Sequence, residues 1–134
     1  MGIDAIDHVN IRSSLMDETI AFYGTLLGLT VKASPGEEDP RVSAWVYAPD
    51  GRPVIHINSV RPGADFLGET RDWSTVTGTG RIHHVAFECS GYDEMRARLS
   101  DAGLTLRYSD VPQISLRQIF AHDPNGVLLE LNFR

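Results

Sequence analysis

The chain has 134 residues, enough for one globular domain or for two small half-domains that share a core. Its composition, 42% hydrophobic and 22% charged, is that of an ordered soluble protein. The net charge of −6, without any basic run, argues against nucleic acid as a partner, because binding phosphates needs clustered Lys and Arg. No apolar stretch approaches the roughly 20 residues that span a bilayer, and the start has no signal-like pattern. We therefore expect no membrane partner and a cytoplasmic location, which the single cysteine, Cys89, also favours.

The first half of the chain predicts a strand, a helix and three further strands. Residues 5–12 alternate in polarity, as a half-buried strand does. Ser14 and Asp17 resemble a capping box, which predicts that a helix begins there, and Gly28 is expected to end it. Three strands are predicted near 29–34, 42–48 and 53–60, the last two joined as a hairpin by the turn Pro49-Asp50-Gly51.

The second half repeats the first. His84 aligns with His8, Ser90 with Ser14 and, after a one-residue slip, Gly103 with Gly28. Near the ends, Asp123-Pro124-Asn125-Gly126 takes the place of the earlier turn, and Glu130 takes the place of His56. The second half therefore predicts the same order of elements, with strands near 81–89, 104–109, 114–122 and 127–133.

This duplication predicts an α+β fold made of two βαβββ modules, with the helices on the apolar face of the strands. We assign residues 1–60 to the first module, 61–80 to a linker and 81–134 to the second module. The linker is polar, contains Gly and Pro, and has no sustained period. It is interpreted either as a plain connector or as a functional loop.

Strand alternation gives each half one apolar and one polar face. Ionisable side chains gather on the polar faces at His8, His56, His84 and Glu130. Burying a polar group without a partner costs roughly 1–3 kcal/mol, and a divalent ion would be a partner for several at once. Two imidazoles and one carboxylate suit Ni, Co, Zn, Mn or Fe(II) in a catalytic role. His83 is expected to point the other way, and neither His83 nor His122 is predicted to be a ligand.

The duplication and three motifs together resemble the vicinal oxygen chelate superfamily, which holds glyoxalases, bleomycin-resistance proteins and dioxygenases. The motifs are Asp7-His8-Val9, His83-His84-Val85-Ala86-Phe87, and Asp123-Pro124-Asn125-Gly126 followed by Glu130. The resemblance covers essentially the whole chain and implies a cupped mixed sheet around one metal ion, with the helices on its outer face. It implies His8, His84 and Glu130 as ligands. His56 stands where glyoxalases and epimerases have Glu or Gln, and is either a fourth ligand or a neighbour of the metal-bound groups.

The resemblance also favours one reaction type, metal-assisted proton transfer by a lyase or isomerase of the glyoxalase or epimerase kind. Glu130 would move the proton. Arg12, four residues after His8, would anchor a small anionic oxygenated substrate or would form an ion pair with Glu88. Small members usually pair, so a homodimer is expected, with the site completed within one chain or across two.

Two other functions stay open at this point. An Fe(II) dioxygenase of the extradiol type uses the same ligand set. It is disfavoured because Gln113 and Phe120 stand where those enzymes carry a His and a Tyr, and neither side chain transfers a proton. A metal-free protein that binds a small molecule or confers resistance is the second alternative, although such members commonly lack the ligand triad.

Overall fold

The computed structural model of the protein describes residues 2–61 and 71–134. The chain divides into two compact units, Met1–Val76 and Thr77–Arg134. The predicted linker falls partly on residues 62–70, which lie outside the described residues. The module limits 1–60 and 81–134 therefore stay a prediction.

The first unit follows the predicted order of elements. Its strands are Val9–Ser13 (β1), Thr30–Ala33 (β2), Ser43–Tyr47 (β3) and Pro53–Ser59 (β4). Its helix Met16–Ala21 (α1) continues as a π-helical turn over Phe22–Leu26, and a short 3-10 helix covers Trp73–Thr75.

The second unit has the same βαβββ order. Its strands are Val85–Cys89 (β5), Arg107–Val111 (β6), Leu116–His122 (β7) and Leu128–Phe133 (β8). Its helix is Tyr92–Asp101 (α2), and a 3-10 turn covers Pro112–Ile114. Both modules and the α+β class are thus confirmed. Over the described part of the chain, no helix is long and apolar enough to cross a membrane.

Each unit forms its own four-stranded mixed sheet, with the orders β1-β4-β3-β2 and β5-β8-β7-β6. The first and last strands of a unit are parallel neighbours, and the other pairs are antiparallel. The register places Asn10 opposite His56 in the first sheet and Ala86 opposite Glu130 in the second. Opposite residues lie on the same face, so this register decides which polar groups are neighbours.

Alternation buries one face of each sheet beneath its helix. In the first unit Ile55 and Ile57 of β4 are buried together with Tyr23 from the helical segment. The hydroxyls of Ser13 on β1 and Thr19 on α1 lie 3.2 Å apart in the same buried layer. In the second unit the rings of Tyr92 on α2 and Phe133 on β8 meet at 5.2 Å. The opposite faces are left to the polar residues.

The predicted capping boxes are wrong at both helices. Leu15 and Gly91 occupy the N-cap positions, and neither helix start has a side-chain cap. At α1 the buried hydroxyl of Ser13, and not that of Ser14, accepts the backbone N–H of Leu15 at 2.9 Å. β1 runs on to Ser13 and so turns this residue toward the helix. At α2 the chain leaves the strand through Gly91 at φ 74°, a conformation that glycine takes without steric cost.

The predicted helix ends at Gly28 and Gly103 are confirmed. Both glycines are left-handed, at φ 77° and 79°. The N–H groups of Gly103 and Leu104 return to the carbonyls of Ser100 and Leu99, at 2.9 and 3.3 Å. This pairing satisfies carbonyls that a helix end leaves without intrahelical partners.

Two glycines of the first helical segment should respond oppositely to alanine. Gly28→Ala should lower the free energy of unfolding by about 1–2 kcal/mol, because a side chain strains the left-handed backbone. Gly24→Ala should be neutral or stabilise by up to about 1 kcal/mol, since its φ is not left-handed and the new Cβ meets Val31 at an ordinary 3.5 Å. Urea unfolding followed by circular dichroism compares the two. Equal changes for both variants would contradict the assignment of Gly28 as the helix end.

Candidate functional site

Three rings meet on the polar face of the first unit. The ring of Trp45 stacks on that of His56, with centroids 4.3 Å apart and planes only 7° apart. His8 meets Trp45 edge-on at 4.7 Å and lies 6.2 Å from the centroid of His56. The pairing of β3 with β4 places Trp45 opposite His56. Two predicted site residues, His8 and His56, thus lie side by side in this unit.

A hydrogen-bond network holds the ring of His56. Its Nε2 lies 2.9 Å from Ser43 Oγ and 3.3 Å from Ser34 Oγ. The side-chain amide of Asn58 donates to Ser43 Oγ at 3.0 Å, and the side-chain amide of Asn10 donates to Asn58 Oδ1 at 2.7 Å. Nε2 is therefore engaged by hydroxyl groups. A metal ion could reach His56 without breaking these contacts only through Nδ1.

Burial lowers the pKa of His56 below 6.5, and the nearby charges of His8 and Arg12 lower it further. Arg12 is half-buried and lies opposite Asn58, on the face of the sheet that carries His56. Positive charge near an imidazole disfavours its protonated form. His56 is therefore kept neutral at physiological pH.

His8 is held at one nitrogen by its neighbour in the sequence. Its Nδ1 lies 2.5 Å from a carboxylate oxygen of Asp7. A carboxylate only accepts, so the proton of a neutral His8 sits on Nδ1. The unprotonated Nε2 is then the nitrogen that can bind a metal ion.

The second unit brings His84 and Glu130 together. His84 Nε2 lies 3.1 Å from Glu130 Oε2. The other carboxylate oxygen, Oε1, accepts a hydrogen bond from the Gln118 amide at 2.8 Å, and the same amide donates to Asn132 at 2.9 Å. The Glu130 side chain is only 15% exposed. The largely buried Glu130 carboxylate thus has Oε1 hydrogen-bonded to Gln118, while Oε2 points toward the imidazole of His84.

His83 does not turn away from His84 as the sequence predicted. The Nδ1 atoms of the two residues are 3.0 Å apart, and their ring centroids are 5.3 Å apart. The prediction assumed strand alternation from residue 81 onward, whereas β5 begins only at Val85. Outside the paired strand the two side chains are free to meet.

The sequence reasoning missed the residues that hold His56 and Glu130. Asn58 and Asn132 follow those two residues by two positions in corresponding strands, and this repeated polar position was a usable signal. Gln118 and Ser43 lie on other strands, opposite Asn132 and Asn58. Finding them requires the strand register, which the sequence does not state.

The structure therefore offers donors as pairs within each unit. His8 lies beside His56 in the first unit, and His84 lies beside Glu130 in the second. Across residues 2–61 and 71–134, no three side chains of the types His, Cys, Asp and Glu form a group that could hold a metal ion. The convergence of His8 with His84 and Glu130 stays a prediction.

The sequence matches the profile of a known protein family, and the fold matches several solved structures. The sequence profile of the Glyoxalase/Bleomycin resistance protein/Dioxygenase superfamily matches residues 5–131. Among solved structures, a glyoxalase/dioxygenase from Nostoc punctiforme has 18% identity and a TM-score of 0.70 over 96% of this chain and 90% of that one. Lactoylglutathione lyase from Agrobacterium tumefaciens has 17% identity and a TM-score of 0.63 over 99% and 96%. The fosfomycin resistance protein FosX from Listeria monocytogenes has 16% identity and a TM-score of 0.66 over 99% and 95%. At these identities the likeness shows the fold alone, and no curated protein matches in sequence.

Removing the Gln118 amide should destabilise the second unit. Gln118→Ala leaves the Glu130 carboxylate without its donor, and losing a hydrogen bond to a charged group costs about 1.5–3 kcal/mol. Gln113→Ala removes an exposed amide of the same unit and should change the free energy of unfolding by less than about 0.5 kcal/mol. Urea unfolding followed by circular dichroism decides between them. If both variants unfold at the wild-type midpoint, the amide does not hold the carboxylate.

The lowered pKa of His56 predicts a pH dependence of stability. Below pH 6.5 the unfolded chain takes up a proton at this residue that the folded chain resists. The contribution of neutral His56 to the free energy of unfolding is thus complete above pH 6.5. It declines as the pH falls through the pKa that His56 has in the folded protein. His56→Gln should remove this decline. The check is to measure the free energy of unfolding of wild type and of the variant from pH 7.5 to 5 and to compare the two curves.

In wild type, an NMR titration should give His56 a midpoint below 6.5, and Arg12→Gln should raise that midpoint. A midpoint at or above 6.5 contradicts the prediction.

Proposed function

The chain belongs to the Glyoxalase/Bleomycin resistance protein/Dioxygenase superfamily, and on that premise we propose that it is a divalent-metal-dependent enzyme. It transfers a proton on a small anionic oxygenated substrate, as a lyase or isomerase of the glyoxalase type. The observation that carries the proposal is the Glu130 carboxylate, held by Gln118 on one oxygen and 3.1 Å from His84 Nε2 with the other. His8, His84 and Glu130 are the proposed ligands.

The distance between the two donor atoms of the second unit suits a transition metal ion. Two ligand atoms at about 2.1 Å from one ion lie about 3.0 Å apart at right angles and about 3.4 Å apart in a tetrahedron. The separation of 3.1 Å between His84 Nε2 and Glu130 Oε2 falls in this interval. The proton that Asp7 holds on His8 Nδ1 leaves Nε2 as a third donor. His56 is either a fourth ligand or a neighbour of the metal-bound groups, since its Nε2 is engaged by Ser43. The donor set suits Ni, Co, Zn, Mn or Fe(II).

The protein's own residues divide the work of the reaction. When bound, the metal ion supplies Lewis acidity to two substrate oxygens and lowers the pKa of the C–H beside them. Glu130 takes that proton, while the Gln118 amide holds its Oε1 and so orients the carboxylate. Arg12 grips the anionic group of the substrate, because a guanidinium forms paired hydrogen bonds with a carboxylate.

The residue that lies opposite Glu130 in the sheet favours proton transfer over dioxygenase chemistry. Phe120 lies opposite Glu130 in the register of β7 and β8, and therefore on its face of the sheet. Phenylalanine has no exchangeable proton, so this position does not provide the acid or base that extradiol ring cleavage uses there. Gln113, at the other such position, lies exposed in the 3-10 turn Pro112–Ile114.

Assembly and location complete the proposal. Superfamily members typically act on small molecules and often form dimers. We propose a homodimer in the cytoplasm, with the three ligands drawn from one chain or from two. The net charge of −6 supports a small-molecule substrate over nucleic acid.

The test begins with metal loading and ends with solvent deuterium. Protein incubated with Zn, Ni, Co, Mn or Fe(II) should retain metal in elemental analysis, and His84→Ala should lose it, because the two remaining donors bind such an ion poorly. His122→Ala is the matched control, an exposed histidine of the same unit that should leave the metal content unchanged. Wild-type protein that stays empty with all five metals would instead support a metal-free binding protein.

The loaded enzyme is then incubated in deuterated water with α-hydroxy-carbonyl, hemithioacetal and acyl-CoA candidates. NMR should show deuterium at the carbon beside the carbonyl, with exchange lost in Glu130→Gln and weakened in Arg12→Ala. Oxygen uptake with catechols by the Fe(II) form, without any deuterium exchange, would replace proton transfer by dioxygenase chemistry.

A further inference from the structure

A row of four side chains crosses the polar face of the first sheet, one from each strand. Asn10 of β1 lies opposite His56 of β4. His56 lies opposite Trp45 of β3, and Trp45 lies opposite Lys32 of β2. Residues directly opposite each other in an antiparallel pair lie on the same face, with Cβ atoms about 4.5–5.5 Å apart. Lys32 is therefore the neighbour of Trp45 on the side away from His56.

The indole of Trp45 has a ring stacked on one of its faces only. His56 covers that face, with centroids 4.3 Å apart and planes 7° apart. His8 lies 4.7 Å from Trp45 and 6.2 Å from His56, so the three centroids form a nearly right-angled triangle with its corner at Trp45. His8 therefore meets the rim of the indole. The second face, on the side of β2, carries no aromatic ring of the described residues.

Lys32 places a positive charge beside that second face. Its side chain is exposed, and its ammonium lies 5.8 Å from the centroid of the Tyr47 ring. Tyr47 lies opposite Thr30 and two positions after Trp45, so both aromatic residues share one face with Lys32. An aromatic ring attracts a cation without neutralising it, and the charge of Lys32 thus stays available to an anion.

The charges on this face favour an anionic ligand. No Asp or Glu of the described ranges pairs with Lys32, whereas Arg41 and Arg52 of the same unit are paired with neighbouring carboxylates. The polar and aromatic residues that the strands place on this face are Asn10, Arg12, Thr30, Lys32, Ser43, Trp45, Tyr47, His56 and Asn58. None of these is acidic, although the chain has a net charge of −6. A surface with one sign of charge concentrates ligands of the opposite sign.

We propose that Trp45, Tyr47 and Lys32 form a binding subsite for an aromatic carboxylate. The ring of the ligand packs against the second face of Trp45, and its carboxylate accepts hydrogen bonds from the Lys32 ammonium. An aliphatic acid lacks the ring and a neutral aromatic molecule lacks the charge, so the two contacts together select molecules that have both. The subsite needs no metal ion and lies at the opposite edge of the sheet from Arg12. It therefore adds an anion contact beyond the one that the proposed function assigns to Arg12.

The first test locates the bound ligand by NMR in the whole chain with EDTA present. 2-Naphthoate is titrated into 15N-labelled protein, which has two indole N–H signals, from Trp45 and Trp73. The Trp45 signal should move to a saturating value, and the Trp73 signal should stay. Trp73 is the matched control, because the Arg71 guanidinium lies 5.1 Å from its ring centroid and forms a comparable pair of cation and ring. Equal shifts of both signals, or no shift at Trp45, overturn the subsite.

The second test follows Lys32, which is the only lysine of the sequence. Reductive methylation with 13C-formaldehyde labels Lys32 and the terminal amine and keeps the positive charge. 2-Naphthoate should shift the Lys32 methyl signal over the same concentrations as the Trp45 signal, because one molecule contacts both groups. A Lys32 signal that stays in place while the Trp45 signal saturates overturns the role of Lys32.

Variants separate the contribution of the ring from that of the charge. Ligand-observed NMR gives dissociation constants for 2-naphthoate and for 2-naphthylmethanol, which has the ring without the charge. Lys32→Gln should weaken 2-naphthoate about two- to fivefold, as expected for an exposed ion pair, and leave 2-naphthylmethanol unchanged. Trp45→Leu should weaken both about 2- to 10-fold, and Trp45→Phe, which retains a ring, should recover most of that loss. Arg71→Gln is the control and should bind both as wild type does.

The outcomes are independent of the proposed reaction. Unchanged binding of 2-naphthoate to Lys32→Gln overturns the charge contact. Decahydro-2-naphthoate keeps the carboxylate and lacks the aromatic ring, so binding as tight as that of 2-naphthoate overturns the ring contact. Because every titration contains EDTA, a chain that binds no metal ion leaves the subsite intact, and a failed subsite leaves the proposed metal site standing.

Discussion

The parallel pairing of the first and last strands of each unit is the constraint on which the polar neighbourhoods depend. Asn10 and His56 are 46 residues apart in sequence, yet they lie opposite each other in this pairing. Parallel partners need a long crossover, which the helix and the two intervening strands provide. A slip of one residue would move every side chain of β4 to the other face and bury His56 under the helix in place of Ile55 or Ile57. The buried faces thus hold the polar faces in register.

Both units have this register, but they carry different side chains at the corresponding positions. In the first unit the position opposite Asn10 holds His56, surrounded by serine hydroxyls and the ring of Trp45. In the second unit the corresponding position holds Glu130, whose carboxylate is bound by an amide and faces an imidazole. An asparagine two residues later completes both hydrogen-bond networks. The first unit therefore offers the neutral ring of His56 and the charge of Arg12, and the second offers the carboxylate.

This asymmetry gives the proposed reaction its division of roles. Proton transfer requires a carboxylate that is anchored yet keeps one oxygen available, and Glu130 meets both conditions through Gln118. Binding an anion requires a positive charge whose neighbours do not themselves pair with that charge. His56 fits beside Arg12 in this respect, because burial and the neighbouring charges lower its pKa and keep it neutral. In the proposed reaction the two halves of the duplicated sequence therefore have different roles.

Local sequence determined much of the fold, because the relevant interactions span only a few residues. The left-handed glycines at the helix ends, the hairpin turns and the two-residue alternation follow from steric rules that act within one turn or strand. The duplication extended these predictions to the second half and predicted His8, His56, His84 and Glu130 on the polar faces; His56 and Glu130 lie in β4 and β8, whereas His8 and His84 lie just ahead of β1 and β5. The position where each strand begins was decided by pairing, and this is why Ser14 was mistaken for a helix cap and His83 was expected to turn away. The partners of the site residues, such as Gln118 for Glu130 and Ser43 for His56, depend on which strands are neighbours and in what register. Only the tertiary structure decided them, because burying an apolar face against a helix selects that register, and no local pattern encodes it.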